Sequence, residues 1–95
     1  MNWEQTLLFL GLIKIGTSRK FFFQSLKDLE IKEIKPGCAG CTKIVGYTDG
    51  KLHVIYKAEP IPKHLNKSIL PIRKVIHVTY VDGTKEVLTF TATLL

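Results

Sequence analysis

The chain has 95 residues, 45% of them hydrophobic, enough for one domain with one core and too apolar for a disordered tail. Its 14 lysines and arginines against 8 acidic residues leave a formal charge of +6. So short a chain has little room for a catalytic cleft and the scaffold to hold it, and its size points to a binding or assembly module. The basic residues spread from Lys14 to Lys85, with Arg19 and Arg73 the only arginines, and never run longer than Arg19-Lys20 or Arg73-Lys74. A nucleic-acid footprint clusters on one face or arm. This spacing reads instead as a solvated basic surface, with attraction to an acidic surface as the functional alternative.

In chain order, Met1 to Thr6 lead into Leu7 to Ile13. The start has a superficial likeness to a signal sequence, but it carries Glu4, lacks a positive n-region and has no small-x-small cleavage site, so a first strand is expected. No stretch approaches the roughly 20 apolar residues of a membrane helix. A cytoplasmic setting is expected, and its reduced thiols argue against a lasting Cys38–Cys41 disulfide. Arg19 to Ser25 contains Phe21, Phe22 and Phe23. In a strand the ring of Phe22 must face away from the other two. Ser25 to Lys35 is ambiguous. Ser25 with Asp28 forms a candidate capping box, and Leu26, Leu29 and Ile34 have near-helical spacing. Leu29 and Ile31 alternate with Glu30 and Lys32, which favours a strand, and Pro36-Gly37 ends either element.

Asp49-Gly50 and Asp82-Gly83 predict two hairpins with type I′ turns. The first joins Lys43–Thr48 to Lys51–Lys57, and the second joins Val75–Val81 to Thr84–Leu95. In the last segment Leu88, Phe90, Ala92 and Leu94 face a core while Val87, Thr89, Thr91 and Thr93 face outward. Ala58 to Ile72, with Pro60, Pro62 and Pro71 and no regular period, is expected to be a long connection. Leu95 ends the chain on an apolar run, and an edge strand of that kind needs covering, for which another subunit is one source.

Cys38-Ala39-Gly40-Cys41-Thr42 carries three readings. As ligands, the two cysteines supply half of a tetrahedral zinc site, and His53, His64 and His77 are the remaining nitrogens, without the paired spacing of a zinc finger. A metal site would therefore need His64 or His77 brought to Cys38 and Cys41. As a redox pair they would need a following helix N-terminus, whereas strands flank them on both sides. The structural reading is favoured: Gly37 and Gly40 permit a bulged corner, Cys41 packs inward and Thr42 ties the turn. No Gly-x-Ser-x-Gly element, phosphate-cradling loop or paired acids in an apolar pocket is present, and nothing favours a Cys41–His64 dyad. A non-enzymatic protein without cofactor is expected. The candidate binding residues are Phe22, Ile61, Leu65 and Ile69, with Trp3, Tyr47, Tyr56 and Tyr80 as further aromatics at strand positions.

Phe9-Leu10-Gly11, Ile15-Gly16, Phe21-x-Phe23, Leu29-x-Ile31 with Ile34, and Gly40-Cys41-Thr42, closed by Ile76-x-Val78 and Val87-x-x-Phe90, together resemble a family. It is the Hydin-like, abnormal-spindle-type immunoglobulin-like domains, in the bacterial and phage branch with a Cys-Gly-Cys-Thr signature. The likeness spans about residues 7 to 94. Two departures stand out: Cys38 lies one residue further from Cys41 than in the family pattern, and Gln24-Ser25-Leu26 replaces an Asn-containing turn. The resemblance implies an immunoglobulin-like antiparallel β-sandwich of about seven strands, one domain over 1–95, without catalysis, used for adhesion or assembly. It further implies a small tailed-phage virion protein, either head decoration or a tail or baseplate part, made in the host cytoplasm and binding other virion proteins or copies of itself. Neither a membrane nor nucleic acid is an expected partner. A phage-encoded inhibitor of a host protein, and a zinc or redox module built on Cys38 and Cys41, are the alternatives.

Overall fold

The computed structural model describes residues 2–61 and 69–95 and contains seven strands in two sheets. They are β1 (Leu7–Ile13), β2 (Ser18–Gln24), β3 (Ile31–Pro36), β4 (Thr42–Thr48), β5 (Lys51–Lys57), β6 (Leu70–Tyr80) and β7 (Lys85–Leu94). One sheet has the order β1-β7-β6-β3 and the other β2-β5-β4. Apart from the parallel β1–β7 pair, all neighbours are antiparallel. Strands β3, β6 and β7 in one layer and β2, β5 and β4 in the other give the immunoglobulin-like arrangement, with β1 crossed over to lie beside the last strand.

Period-2 patterning decides what each sheet buries. Leu88, Phe90, Ala92 and Leu94 on β7 and Ile76, Val78 and Tyr80 on β6 meet Leu52, Val54 and Tyr56 of β5 and Phe23 of β2 across the core. Phe90 is the centre of an aromatic cluster, with ring centroids 4.9 Å from Phe21 and 5.4 Å from Tyr56. Phe21 and Phe23 point inward while Phe22 is exposed, as the strand reading requires.

Several expectations are corrected. Of the ambiguous Ser25–Lys35, the favoured strand forms only from Ile31, in β3; Leu26 to Glu30 is neither helix nor strand, Ser25 makes an isolated bridge to Trp3, and the Ser25–Asp28 box is not made. The Ser25 hydroxyl instead lies 2.9 Å from the Tyr47 hydroxyl and donates to the Gly50 carbonyl at 3.0 Å. Strand β6 begins at Leu70, so the end of the expected connection is sheet: Pro71 pairs with Thr93 on β7. Proline is tolerated there because β3 reaches only as far as Ile76, leaving the other side of Pro71 free of a ladder partner. Trp3, Tyr56 and Tyr80 are core residues rather than surface aromatics. Finally, β7 is an inner strand, because β1 covers it, and it needs no second subunit.

The free edges are blunted by side chains. Arg19 on β2 reaches across to β1 and donates to the carbonyls of Leu10 at 2.9 Å and Leu12 at 3.3 Å. Strand β3 carries Lys32, Glu33 and Lys35 and ends in Pro36, while β4 is distorted by a bulge between Ile44 and Gly46.

Candidate interaction surface

Chain segment 36–42 carries the protein from one sheet to the other. The Gly37 amide donates to the Val75 carbonyl at 2.8 Å, and a Cβ on Gly37 would lie 2.9 Å from Val75 Cγ2. The amides of Cys41 and Thr42 both donate to the Cys38 carbonyl, at 3.3 and 2.9 Å, which closes the corner. Cys41 is buried, as the structural reading of this segment expects, and Thr42 is buried beside it, but neither Gly37 nor Gly40 takes a positive φ. The sulfurs of Cys38 and Cys41 are joined in a disulfide, which corrects the expectation of free thiols. Three-residue spacing within one tight turn brings the two Cα atoms to 5.6 Å, within the span a disulfide bridges.

The Glu59 carboxylate lies beside this pair; its oxygen and the two sulfurs fall within 4.8 Å of one another. Sequence spacing gave no sign of Glu59, because only the return of the chain after β5 brings it to the corner. Reduced, the three groups would offer three of zinc's four ligands. Glu59 is engaged, however, by the Lys74 ammonium at 2.9 Å, a positive charge that opposes a cation at the same carboxylate. His77 stands on the outer face of the four-stranded sheet, exposed and paired with Lys35 and Val87, so it does not join the cysteines. His64 lies outside the described residues. Tyr56 is buried nearby, and among the described residues its hydroxyl has no hydrogen-bond partner. Burial, reinforced by the Glu59 charge, raises its pKa above the ordinary phenol value.

The binding candidates do not form one patch. Phe22, 45% exposed, stands on the outer face of β2-β5-β4. Ile69, 52% exposed, leads into β6 of the opposite sheet. Ile61 is half-buried and packs on the core, and Leu65 lies outside the described residues.

Register on the three-stranded sheet produces a grouping that the linear sequence conceals. Lys20 and Lys43 both pair with Ile55, one from each side; Phe22 pairs with His53, Gln24 with Lys51, and Ser18 with Lys57. Paired residues point to the same side, and the inward partners Leu52, Val54 and Tyr56 are buried. Lys20, Lys43, Lys51, Lys57 and His53 therefore share one outer face around Phe22 and Ile55. The Lys51 ammonium sits 5.0 Å from the Phe22 ring centroid, and the His53 ring is 6.1 Å from it. No residue of these three strands is acidic.

A second apolar group stands on the other sheet. Leu7, Phe9 and Leu12 of β1 pair with Thr89, Thr91 and Thr93 and share their outward face; Phe9 is 78% exposed. A shallow groove of about 410 Å3 runs there, lined by Phe9, Gly11, Pro71, Arg73, Thr91 and Thr93 among others.

No family model matches the sequence, and no curated protein matches it. The fold has a counterpart in a mutant of the SrpA adhesin from Streptococcus sanguinis, at a TM-score of 0.62 over 100% of this chain and with 15% identical residues. The chain spans 59% of that protein's length. The protein is an all-β sandwich whose architecture recurs in part of an adhesin; at this identity the likeness concerns the fold.

Proposed function

We propose that the protein is a non-enzymatic assembly module that binds another protein through the outside of its sandwich, as a small component of a tailed-phage particle. The observation that carries this reading is the display of large apolar side chains, Phe9 and Phe22 foremost, on the outer faces of both sheets, although the core between the sheets is already filled. Exposed aromatic rings on rigid strands lose little conformational freedom on docking and are favoured interface anchors. Among the described residues, Cys38 is bonded to Cys41, Glu59 is paired with Lys74, and His53 lies against Phe22. Resemblance to the phage branch of the immunoglobulin-like domains supports placing the module in a head shell, tail or baseplate.

Mass spectrometry of purified particles from cells producing this chain is the test. Recovery at a fixed ratio to a shell or tail protein is expected. Recovery only from the soluble host fraction, bound to one host protein, would replace this reading with that of an inhibitor.

A further inference from the structure

The outer face of β2-β5-β4 differs in charge from the rest of the molecule, and that difference says what it meets. Lys20, Lys43, Lys51 and Lys57 project from it, whereas the opposite sheet mixes Glu33 and Glu86 with its basic residues. Glu4 beside Gln24 and Asp49 in the β4–β5 turn lie at the Lys51 end, and Glu59, two residues beyond Lys57, is paired with Lys74 of the opposite sheet. Lys20, Lys43 and Lys57 occupy the other end without a counter-charge on their sheet. Outward residues recur about every 7 Å along a strand and about 4.8 Å between strands, so these ammonium groups form a two-dimensional array rather than a line.

We infer that this face is the docking surface for an acidic protein surface, with Phe22 and Ile55 as the apolar centre and the four lysines as the surrounding charge. The inference rests on reading the protein as a protein-binding module. Three features favour a protein over nucleic acid. The face holds no free arginine for bidentate phosphate contact, since Arg19 is engaged by Leu10 and Leu12. The Phe22 ring already carries the Lys51 ammonium, so it is not an open platform for base stacking. Ile55 and the bulge residue Val45, 58% exposed, add aliphatic contact that suits side chains better than bases.

The test uses the full chain and a fluorescein-labelled poly-glutamate peptide, read by anisotropy at low and physiological salt, with amide shifts mapping the site. Perturbed amides on β2, β4 and β5 are expected. Lys20→Glu/Lys43→Glu/Lys57→Glu should weaken binding by about tenfold or more, whereas the charge-matched control Lys32→Glu/Lys35→Glu/Lys85→Glu on the other sheet should stay close to wild type. Phe22→Ser should weaken binding several-fold at unchanged net charge. All seven positions are exposed, and each variant is checked for folding by circular dichroism before binding is read. Equal loss in both triple variants, absence of binding by the wild type, or no effect of Phe22→Ser would overturn the proposal. Tighter binding of an oligothymidylate than of the peptide would assign the face to nucleic acid instead. Particle recovery with an unaffected triple variant would sink this face and leave the module standing; peptide binding without particle recovery would do the reverse.

Discussion

Tyr80 ties the N-terminal segment to the sandwich. Its hydroxyl accepts from Trp3 Nε1 at 2.8 Å and donates to Glu86 Oε1 at 2.6 Å, and Asn2 donates to the same carboxylate oxygen. Tyr80→Phe leaves the buried indole N–H unpaired, and a loss of about 1–3 kcal/mol in urea unfolding is expected. Burial first, and then the hydrogen bond to Glu86, raise the Tyr80 pKa above 10.0; Tyr56 is raised by burial and Glu59. A raised folded value means that the fold prefers the neutral phenol. That contribution is full below the unfolded value and is lost as pH climbs through the folded one. Urea midpoints should therefore fall above about pH 10, and less steeply in Tyr80→Phe. A midpoint unchanged in that range would contradict the assignment. Gly37→Ala drives a methyl against Val75, and about 1–3 kcal/mol of destabilisation is expected by the same measurement.

Among the elements, the two hairpins show how one dipeptide yields two turns. Asp49 and Gly50 have φ of 53° and 76°, and Thr48 pairs directly with Lys51, which is the expected two-residue type I′ connection. In the second hairpin only Gly83 has positive φ, at 91°; its amide donates to the Tyr80 carbonyl, and the Tyr80 amide donates to that of Thr84. The loop is thus three residues long, a type I turn closed by a left-handed glycine. Asp82 selects it, accepting from the Thr84 hydroxyl at 2.6 Å and the Thr84 amide at 2.9 Å. Those bonds lower the Asp82 pKa, so its contribution holds above 3.8 and is lost as pH falls through the depressed folded value. Gly83→Ala should cost about 1–2 kcal/mol in urea unfolding. Arg19→Ala releases the carbonyls of Leu10 and Leu12 on an edge strand, and concentration-dependent association in light scattering is expected; a variant that remains monomeric would show that the edge is blunted by other means.

For the whole molecule, the Cys38–Cys41 bond closes a very short loop, and chain entropy assigns it only about 2 kcal/mol. Dithiothreitol should lower the unfolding midpoint modestly without abolishing the fold, because Cys41 remains packed and the corner's backbone hydrogen bonds persist. With Lys74 on Glu59, zinc added to the reduced protein should leave the melting temperature unchanged. A rise that chelator reverses would make the corner a metal site.

Much of the architecture was legible in residues read singly or in pairs. Alternation placed Leu88, Phe90, Ala92 and Leu94 inward and Phe22 outward, and Asp-Gly pairs marked both hairpins, because strand faces and turn positions are decided by neighbours in the chain; of the two type I′ turns expected, only the first forms. The inward packing of Cys41 followed from the same local logic. Which strands become neighbours is set by closing two layers over one core, a non-local condition. It made β1 the parallel partner of β7, buried Trp3, drew Leu70–Ile72 into the sheet and brought Glu59 to the cysteines. It also gathered Lys20, Lys43, Lys51 and Lys57, scattered in sequence, onto a single face. Charge spacing along a chain carries no information about register across strands, and only the tertiary structure decided that these lysines meet.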